Sequence, residues 1–283
     1  MSGFTELCVT TNFSFLRGAS HGEEWVRQAK ALGLAGLGIA DHNSLAGIVR
    51  AHATAKEAEL RLAVGARLVF RDGTPDIFVY PKDRAAYARL TRLLTIGNRR
   101  APKGACWLDF SDFLDHAEGQ QAIVTPLLSL GATPDEGLRA SLEAIRERSG
   151  AVWLAARFIF DGEDHRRLRL LKGLAEKTGA RLIATTEPLH HVPERRALLD
   201  VLTCIREKTT LDNAGSLLAA NAERHLKTHA EMERLYRDAP ESVSETERFL
   251  DGARFSLDEL SYQYPDETIE GFETAQDALE ALS

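Results

Sequence analysis

Asp41 and His42 are adjacent and close a short apolar run, Gly36-Leu37-Gly38-Ile39-Ala40. A carboxylate and an imidazole at the C-terminal end of a buried strand stand where α/β folds place metal ligands and catalytic groups. Oxygen and imidazole-nitrogen donors suit Zn, Mn or Fe, and clusters of such metals activate water for phosphoester hydrolysis. The pair has a second reading. Asp is a good helix N-cap, and Asn43-Ser44-Leu45-Ala46-Gly47 reads as the opening of a helix.

Little else in the chain is arranged for chemistry. There is no Gly-X-Ser-X-Gly, no Gly-X-Gly-X-X-Gly, no P-loop, and no closely spaced Asp pair of the kind that holds two metals for nucleotidyl transfer. His190 and His191 precede Pro193. On a strand, neighbouring side chains point to opposite faces, so at most one of the two could reach a common site, and a surface pair is the simpler reading. His21, His52, His116, His165, His225 and His229 show no ligand spacing.

The elements that must position Asp41 and His42 follow from alternation of apolar runs and amphipathic stretches. Strands are expected at 7–10, 37–40, 62–70, 77–80, 122–124, 152–155 and 182–185. Between them lie helices: one around Trp25 to Leu32 ended by Gly33, one from Ser44 to about Glu59, one over 84–94, one over 164–178 closed by Gly179, and one over 194–206. Another is capped by Thr133 with Pro134 and Glu136 and ended by Gly150. Repeated strand-then-helix units predict a parallel sheet, open or closed into a barrel. The pattern changes after about Thr210. Helices are expected at 230–237 and 241–252, then a turn or linker at 262–267, then a helical pattern from Thr274 that has a start and no end. A chain that stops inside a helix is expected to be the front part of something longer.

Composition sets the outer bounds. With 283 residues, 44% hydrophobic and 27% charged, the chain suits one large or two smaller globular domains. No apolar stretch approaches the roughly 20 residues that span a bilayer, and Met1 to Glu6 carry no signal-peptide pattern. Cys8, Cys106 and Cys204 are far apart with no CxxC pair, so a reducing cytoplasm is the expected location. A net charge of −7 argues against a domain whose main work is gripping a phosphate backbone. Basic clusters such as Arg99-Arg100 with Lys103 read as solvated faces.

Five segments carry a family resemblance. Residues 7–19, Leu-Cys-Val-Thr-Thr-Asn-Phe-Ser-Phe-Leu-Arg-Gly-Ala, resemble the opening of the polymerase-and-histidinol-phosphatase (PHP) domain of bacterial C-family DNA polymerases, and residues 39–47 resemble its second motif. Residues 93–104, 200–207 and 254–265 resemble the error-prone branch of that polymerase family. The resemblance implies an α/β fold, a PHP-type distorted (β/α)7 barrel over residues 1–210. A mostly helical segment over 211–283 would lead toward a polymerase palm. It implies a parent enzyme acting in damage-induced mutagenesis and translesion synthesis. The implied partners are the palm and other domains of the same parent chain, DNA through that parent, and mutagenesis accessory proteins or a sliding clamp; no membrane is involved.

Carried over residue by residue, the family's metal site is poorly kept. Asp41 and His42 match. Cys8 and Thr10 stand where the first motif has His-X-His, Arg67 stands for the glutamate of the third strand, and Asp76 for the next histidine. The final Asp-X-His is Glu187-Pro188-Leu189. Cys8, Asp41, His42 and Glu187 therefore read as a vestigial metal site, with no cofactor expected, and Zn or Mn if it is live. Arg67 is a permanent cation with no acceptor, and could neutralise Asp41 and Glu187 where a metal would sit. A unit positive charge about 4 Å from a divalent ion opposes binding by several kcal/mol even at an effective dielectric of about 20. A scaffold without exonuclease activity is the expectation. The alternative is a metal-dependent phosphoesterase or 3′–5′ exonuclease with a reduced ligand set.

Overall fold

The computed structural model describes residues 3–126, 134, 136–261 and 271–282. Seven strands form one sheet in sequential order: β1 (Thr5–Val9), β2 (Gly36–His42), β3 (Arg61–Leu68), β4 (Asp76–Pro81), β5 (Gln120–Thr125), β6 (Trp153–Arg157) and β7 (Arg181–Thr185). The helices in chain order are α1 (Gly22–Ala31), α2 (Ile48–Glu57), α3 (Arg84–Arg100), α4 (Phe110–Leu114), α5 (Glu136–Ser149), α6 (Asp164–Thr178), α7 (Arg196–Glu207), α8 (Leu211–Ala214), α9 (His229–Leu235), α10 (Glu241–Gly252) and α11 (Ala275–Leu282). The sheet curls into a distorted (β/α)7 barrel. Its outer face packs on helices through Val9, Ile39, Val64, Val79, Val124 and Leu154, against Trp25, Ile48, Leu90, Leu142 and Leu171.

The expectation of an all-parallel sheet is corrected at β4, which runs antiparallel to both β3 and β5. The short connection from β3 to β4 turns at Gly73 (φ +86) and has no room for a crossover helix, so the chain must reverse. Two helix limits also differ. α2 begins at Ile48 rather than Ser44, because Asn43 adopts a left-handed φ of +47 and Asp41 bridges back to Ser44. α3 continues six residues past Leu94 to Arg100, because buried Leu90, Leu93, Leu94 and Gly97 keep one face packed. At Gly97 a Cβ would lie 2.5 Å from Cys106 Sγ. Thr133 and the expected linker at 262–267 lie outside the described residues.

The barrel interior is narrow and filled by Cys8, Ala40, Ala63, Phe78, Tyr80, Ile123, Trp153, Ala155 and Ile183. Tyr80 crosses it and donates its hydroxyl to the Leu7 carbonyl. Only glycine fits beside that ring: a Cβ at Gly65 would lie 2.5 Å from Tyr80 Cε1, and one at Gly38 2.8 Å from its hydroxyl. β1 and β7 do not pair. Their seam is closed by Glu6, whose buried carboxylate accepts from the Cys8 amide (3.0 Å), the Thr185 hydroxyl (2.5 Å) and the Thr186 amide (3.1 Å). Burial outweighs these bonds and pushes the Glu6 pKa up to about 7.

Helix α10 forms the floor, under the N-terminal ends of the parallel strands. The Thr5 amide donates to Thr246 Oγ1 (3.1 Å), Trp153 Nε1 to Glu245 (3.0 Å), and Gln121 to the Phe249 carbonyl (2.9 Å). The Phe249 ring lies edge-on to Trp153 (4.7 Å) and Tyr80 (5.4 Å). Tyr236, just after α9, donates to the Ala156 and Thr185 carbonyls from the outer side of the sheet. Phe249→Ala is expected to cost about 3–5 kcal/mol in urea unfolding, as a fully buried aromatic. A loss under about 1 kcal/mol would show that α10 does not close the barrel.

Candidate functional site

The opposite end, where the parallel strands finish, collects the polar residues. β2 delivers Asp41 and His42, and β3 delivers Arg67 in register with His42 on one side and Phe78 on the other. The reversed β4 begins there with Asp76; Arg157 ends β6, and Thr185, Thr186 and Glu187 follow from β7. Thus Cys8, Asp41, His42, Arg67, Asp76 and Glu187 come to one end of the barrel or its interior.

Glu187 is the centre of this cluster, only 2% exposed. Arg67 Nη1 donates to its Oε1 (2.6 Å) and Arg157 Nη1 to its Oε2 (2.7 Å), while Arg224 pairs with Oε1 at 3.3 Å. Arg224 also donates twice to the Glu187 carbonyl oxygen, at 3.0 and 2.8 Å. Glu187 has φ +45, uncommon for a side chain with a Cβ. Its amide donates to Thr185 Oγ1 (2.7 Å), so both sides of the strained residue are tied. Burial would raise its pKa, but the guanidiniums of Arg67, Arg157 and Arg224 hold it far below the ordinary value. Arg67 Nε reaches Asp76 Oδ2 (2.7 Å), and its guanidinium lies 5.0 Å over the Phe78 ring.

Arg67 takes Asp76 and Glu187, not Asp41 and Glu187, which corrects the expected pairing. Asp41 is satisfied by neutral donors. Its Oδ1 accepts from the Thr11 amide (2.8 Å) and Ser14 Oγ (2.6 Å), and its Oδ2 from Thr11 Oγ1 (2.7 Å). Burial raises its pKa and these hydrogen bonds oppose the shift. Nor is Asp41 a helix cap, since α2 starts after Gly47. It instead anchors the Thr11–Ser14 turn, and a Cβ at Gly47 would lie 2.5 Å from its Oδ2.

His42 is kept neutral: burial first, then the cations Arg67 and Arg17, lower its pKa to about 3. Cys8 is buried, and burial with the charges of Glu6 and Glu187 raises its pKa well above the ordinary thiol value, so it is a thiol rather than a thiolate. Thr10 is buried, and its hydroxyl has no hydrogen-bond partner among the described residues. Leu189 contributes only its backbone: its amide donates to the Arg224 carbonyl (3.0 Å) and its carbonyl accepts from the Ala19 amide (2.8 Å). His190 and His191 are engaged elsewhere, His190 Nδ1 with the Val192 carbonyl and His191 Nδ1 with Ser20 Oγ, each at 2.8 Å.

These residues do not fit a multinuclear metal centre. Among the described residues no three His, Cys, Asp or Glu groups are grouped to hold an ion. The physical reason lies in what the donors already do: Glu187 faces three guanidiniums, Arg67 separates it from Asp76, and both Asp41 oxygens are occupied. Three participants escaped the sequence reading. Arg157 carries only the signal of a charge at a strand end. Arg224 comes from a segment without regular structure, and Glu6 is masked by its place in a strand of ordinary pattern.

Comparison with known proteins places this arrangement. The family described as PHP domain matches residues 6–156. Three relatives are named error-prone DNA polymerase. They come from Bradyrhizobium diazoefficiens (50% identical), Rhodopseudomonas palustris strain BisB5 (49%) and Caulobacter vibrioides (46%), each matched over 99% of this chain. The chain spans about a quarter of their length, 25%, 25% and 26%. Two solved structures overlay more loosely. A candidate metal-dependent phosphoesterase from Bifidobacterium adolescentis has TM-score 0.48 at 15% identity, covering 66% of this chain and 88% of its own. An amidohydrolase from Chromobacterium violaceum has TM-score 0.47 at 13% identity, covering 66% of this chain and 87% of its own. With the family matched over more than half its residues, from β1 into β6, the chain belongs to the PHP domain family.

Proposed function

We propose that this chain serves as the PHP domain of an error-prone DNA polymerase, as a scaffold in which an arginine network stands in place of the metal centre. The observation that carries the reading is Arg67, fixed at 2.7 Å from Asp76 and 2.6 Å from Glu187. A guanidinium supplies positive charge and directed donors, but it has no open coordination position and cannot ligate and activate water. Cys8, Asp41, His42 and Glu187 are, in this proposal, a vestigial ligand set. Residues 1–210 form the PHP domain, and residues 211–283 connect it toward the polymerase palm while α10 also closes the barrel floor. The parent acts in damage-induced mutagenesis and translesion synthesis in the cytoplasm. Its partners are the other domains of the same chain, DNA through them, and accessory proteins or a sliding clamp. Among the described residues no helix is long and apolar enough to cross a membrane.

The alternative, a phosphoesterase or 3′–5′ exonuclease with Zn or Mn, requires Asp76 and Glu187 to leave their arginines. The two readings separate in an assay of end-labelled single-stranded DNA and a phosphate monoester with added Mn or Zn. No hydrolysis above buffer is expected. Turnover abolished by Asp41→Ala would establish the alternative.

The network also makes a stability claim. Glu187→Gln leaves Arg67, Arg157 and Arg224 without their shared counter-charge, and is expected to cost about 3–5 kcal/mol in chemical denaturation. Because folding lowers the Glu187 pKa, its stabilisation is complete above the unfolded value near 4.5 and is lost as pH falls. The melting temperature of the native chain is therefore expected to drop more steeply below that pH than that of Glu187→Gln. Parallel pH profiles would show that Glu187 is not the buried anion of the network.

A further inference from the structure

Helix α7 carries apolar side chains on two opposite faces. Leu199, Thr203 and Cys204 are buried and form the inner face. On the far side of the same helix, Leu198, Val201 and Ile205 are 40%, 42% and 56% exposed. A surface helix ordinarily turns charge to water, and a helix that is apolar all round is ordinarily covered. The charged residues of α7 do not screen the outer face. Arg196 pairs with Asp200 at 2.7 Å and Arg206 with Glu207 at 2.8 Å, so they neutralise one another. Leu211, which opens α8 just beyond the helix, is also exposed.

The outer stripe is bounded by opposite charges. From Glu194 through Leu198, Val201 and Ile205 to Lys208 the steps are four, three, four and three residues, the spacing of a single helix-packing seam. Glu194 lies in the 3-10 turn Pro193–Arg195 that leads into α7, and Lys208 is the residue just past its end. Both are exposed. Neither side chain forms a hydrogen bond or an ion pair among the described residues. Arg195, next to Glu194, is engaged by Glu24 instead. The stripe therefore reads acid, three aliphatic residues, base, with both charges unspent.

We propose that the outer face of α7 binds a second copy of this chain, the two helices packing antiparallel about a two-fold axis beside Val201. The order of the stripe selects both the occupant and the orientation. Read backwards, it is complementary to itself: Glu194 meets Lys208 of the partner subunit at both ends, Leu198 meets Ile205 of the partner subunit, and Val201 lies against its own copy. A parallel pair would set like charges together at each end. A two-fold contact of this kind uses the same patch on both subunits and closes after one pairing, so it yields a dimer and no filament. A contact one helix wide is smaller than the roughly 800 Å² per partner of a long-lived complex, so the dimer is a weak and reversible one. It is independent of the arginine network and of any activity of a longer parent.

The test is sedimentation velocity of the 283-residue chain over a concentration series. The expected result is a reversible shift from the 31.2 kDa monomer toward twice that mass, with a Kd of roughly 10–100 µM. Val201→Lys sets like charges together at the two-fold axis and is expected to keep the chain monomeric with its melting temperature unchanged. Glu194→Lys and Lys208→Glu are each expected to weaken association by about threefold or more, and the double reversal to restore it. Association that survives Val201→Lys, or single reversals that the double does not rescue, overturns the antiparallel contact. A chain that stays monomeric up to about 500 µM overturns the dimer and leaves the stripe to a different protein surface.

Discussion

The buried negative charge of Glu187 is the constraint around which the barrel mouth is organised. A carboxylate withdrawn from water is tolerated only if opposite charge and hydrogen bonds replace its hydration. Here Arg67 from β3, Arg157 from β6 and Arg224 from the segment before α9 supply both. Three distant stretches of chain are thereby held against the end of β7. The same arrangement decides the chemistry. Where a metal would lend its charge and an open coordination position, these guanidiniums lend charge alone. On the proposed reading, the site would keep the electrostatics of a cation centre without a means of activating water.

The rest of the barrel is built to hold that end still. Tyr80, threaded past Gly38 and Gly65, fills the middle; α10 seals the floor through Thr246, Glu245 and Phe249; Glu6 staples the seam between β1 and β7. Glu6 and Glu187 are both buried and are treated differently. Glu6 has only neutral donors and its pKa rises, whereas Glu187 has three cations and its pKa falls. Asp41 resembles Glu6 in this respect, held by hydroxyls and an amide. It serves as the anchor of a turn whose outer face presents Phe13, Phe15 and Arg17.

Much of this was legible in the sequence, for reasons that can be traced. Most strands are short apolar runs followed by a helical period, so the strand positions and the placing of Asp41 and His42 at the end of one could be read directly, while their order in the sheet could not. Arg67 and Glu187 were singled out through the family resemblance, Arg67 as a permanent cation where the family's third strand has a glutamate and Glu187 at the start of its last motif. The reversal of β4 was not legible, since the antiparallel direction is set by a connection too short for a helix rather than by the strand's own pattern. The choice of Asp76 over Asp41 as Arg67's partner depends on register, β3 against β4, which residue types do not encode. Arg224 could not be foreseen, because it lies 37 positions from Glu187 on a segment without regular structure.

The central claim is that a fixed guanidinium, rather than an ion, neutralises Glu187. Calorimetric titration of Mn and Zn into the purified, chelator-treated chain tests it most directly. The account predicts no saturable binding heat for the native chain, with Arg67 and Glu187 still paired. A stoichiometric site that is lost in Asp41→Ala and Glu187→Gln would contradict it.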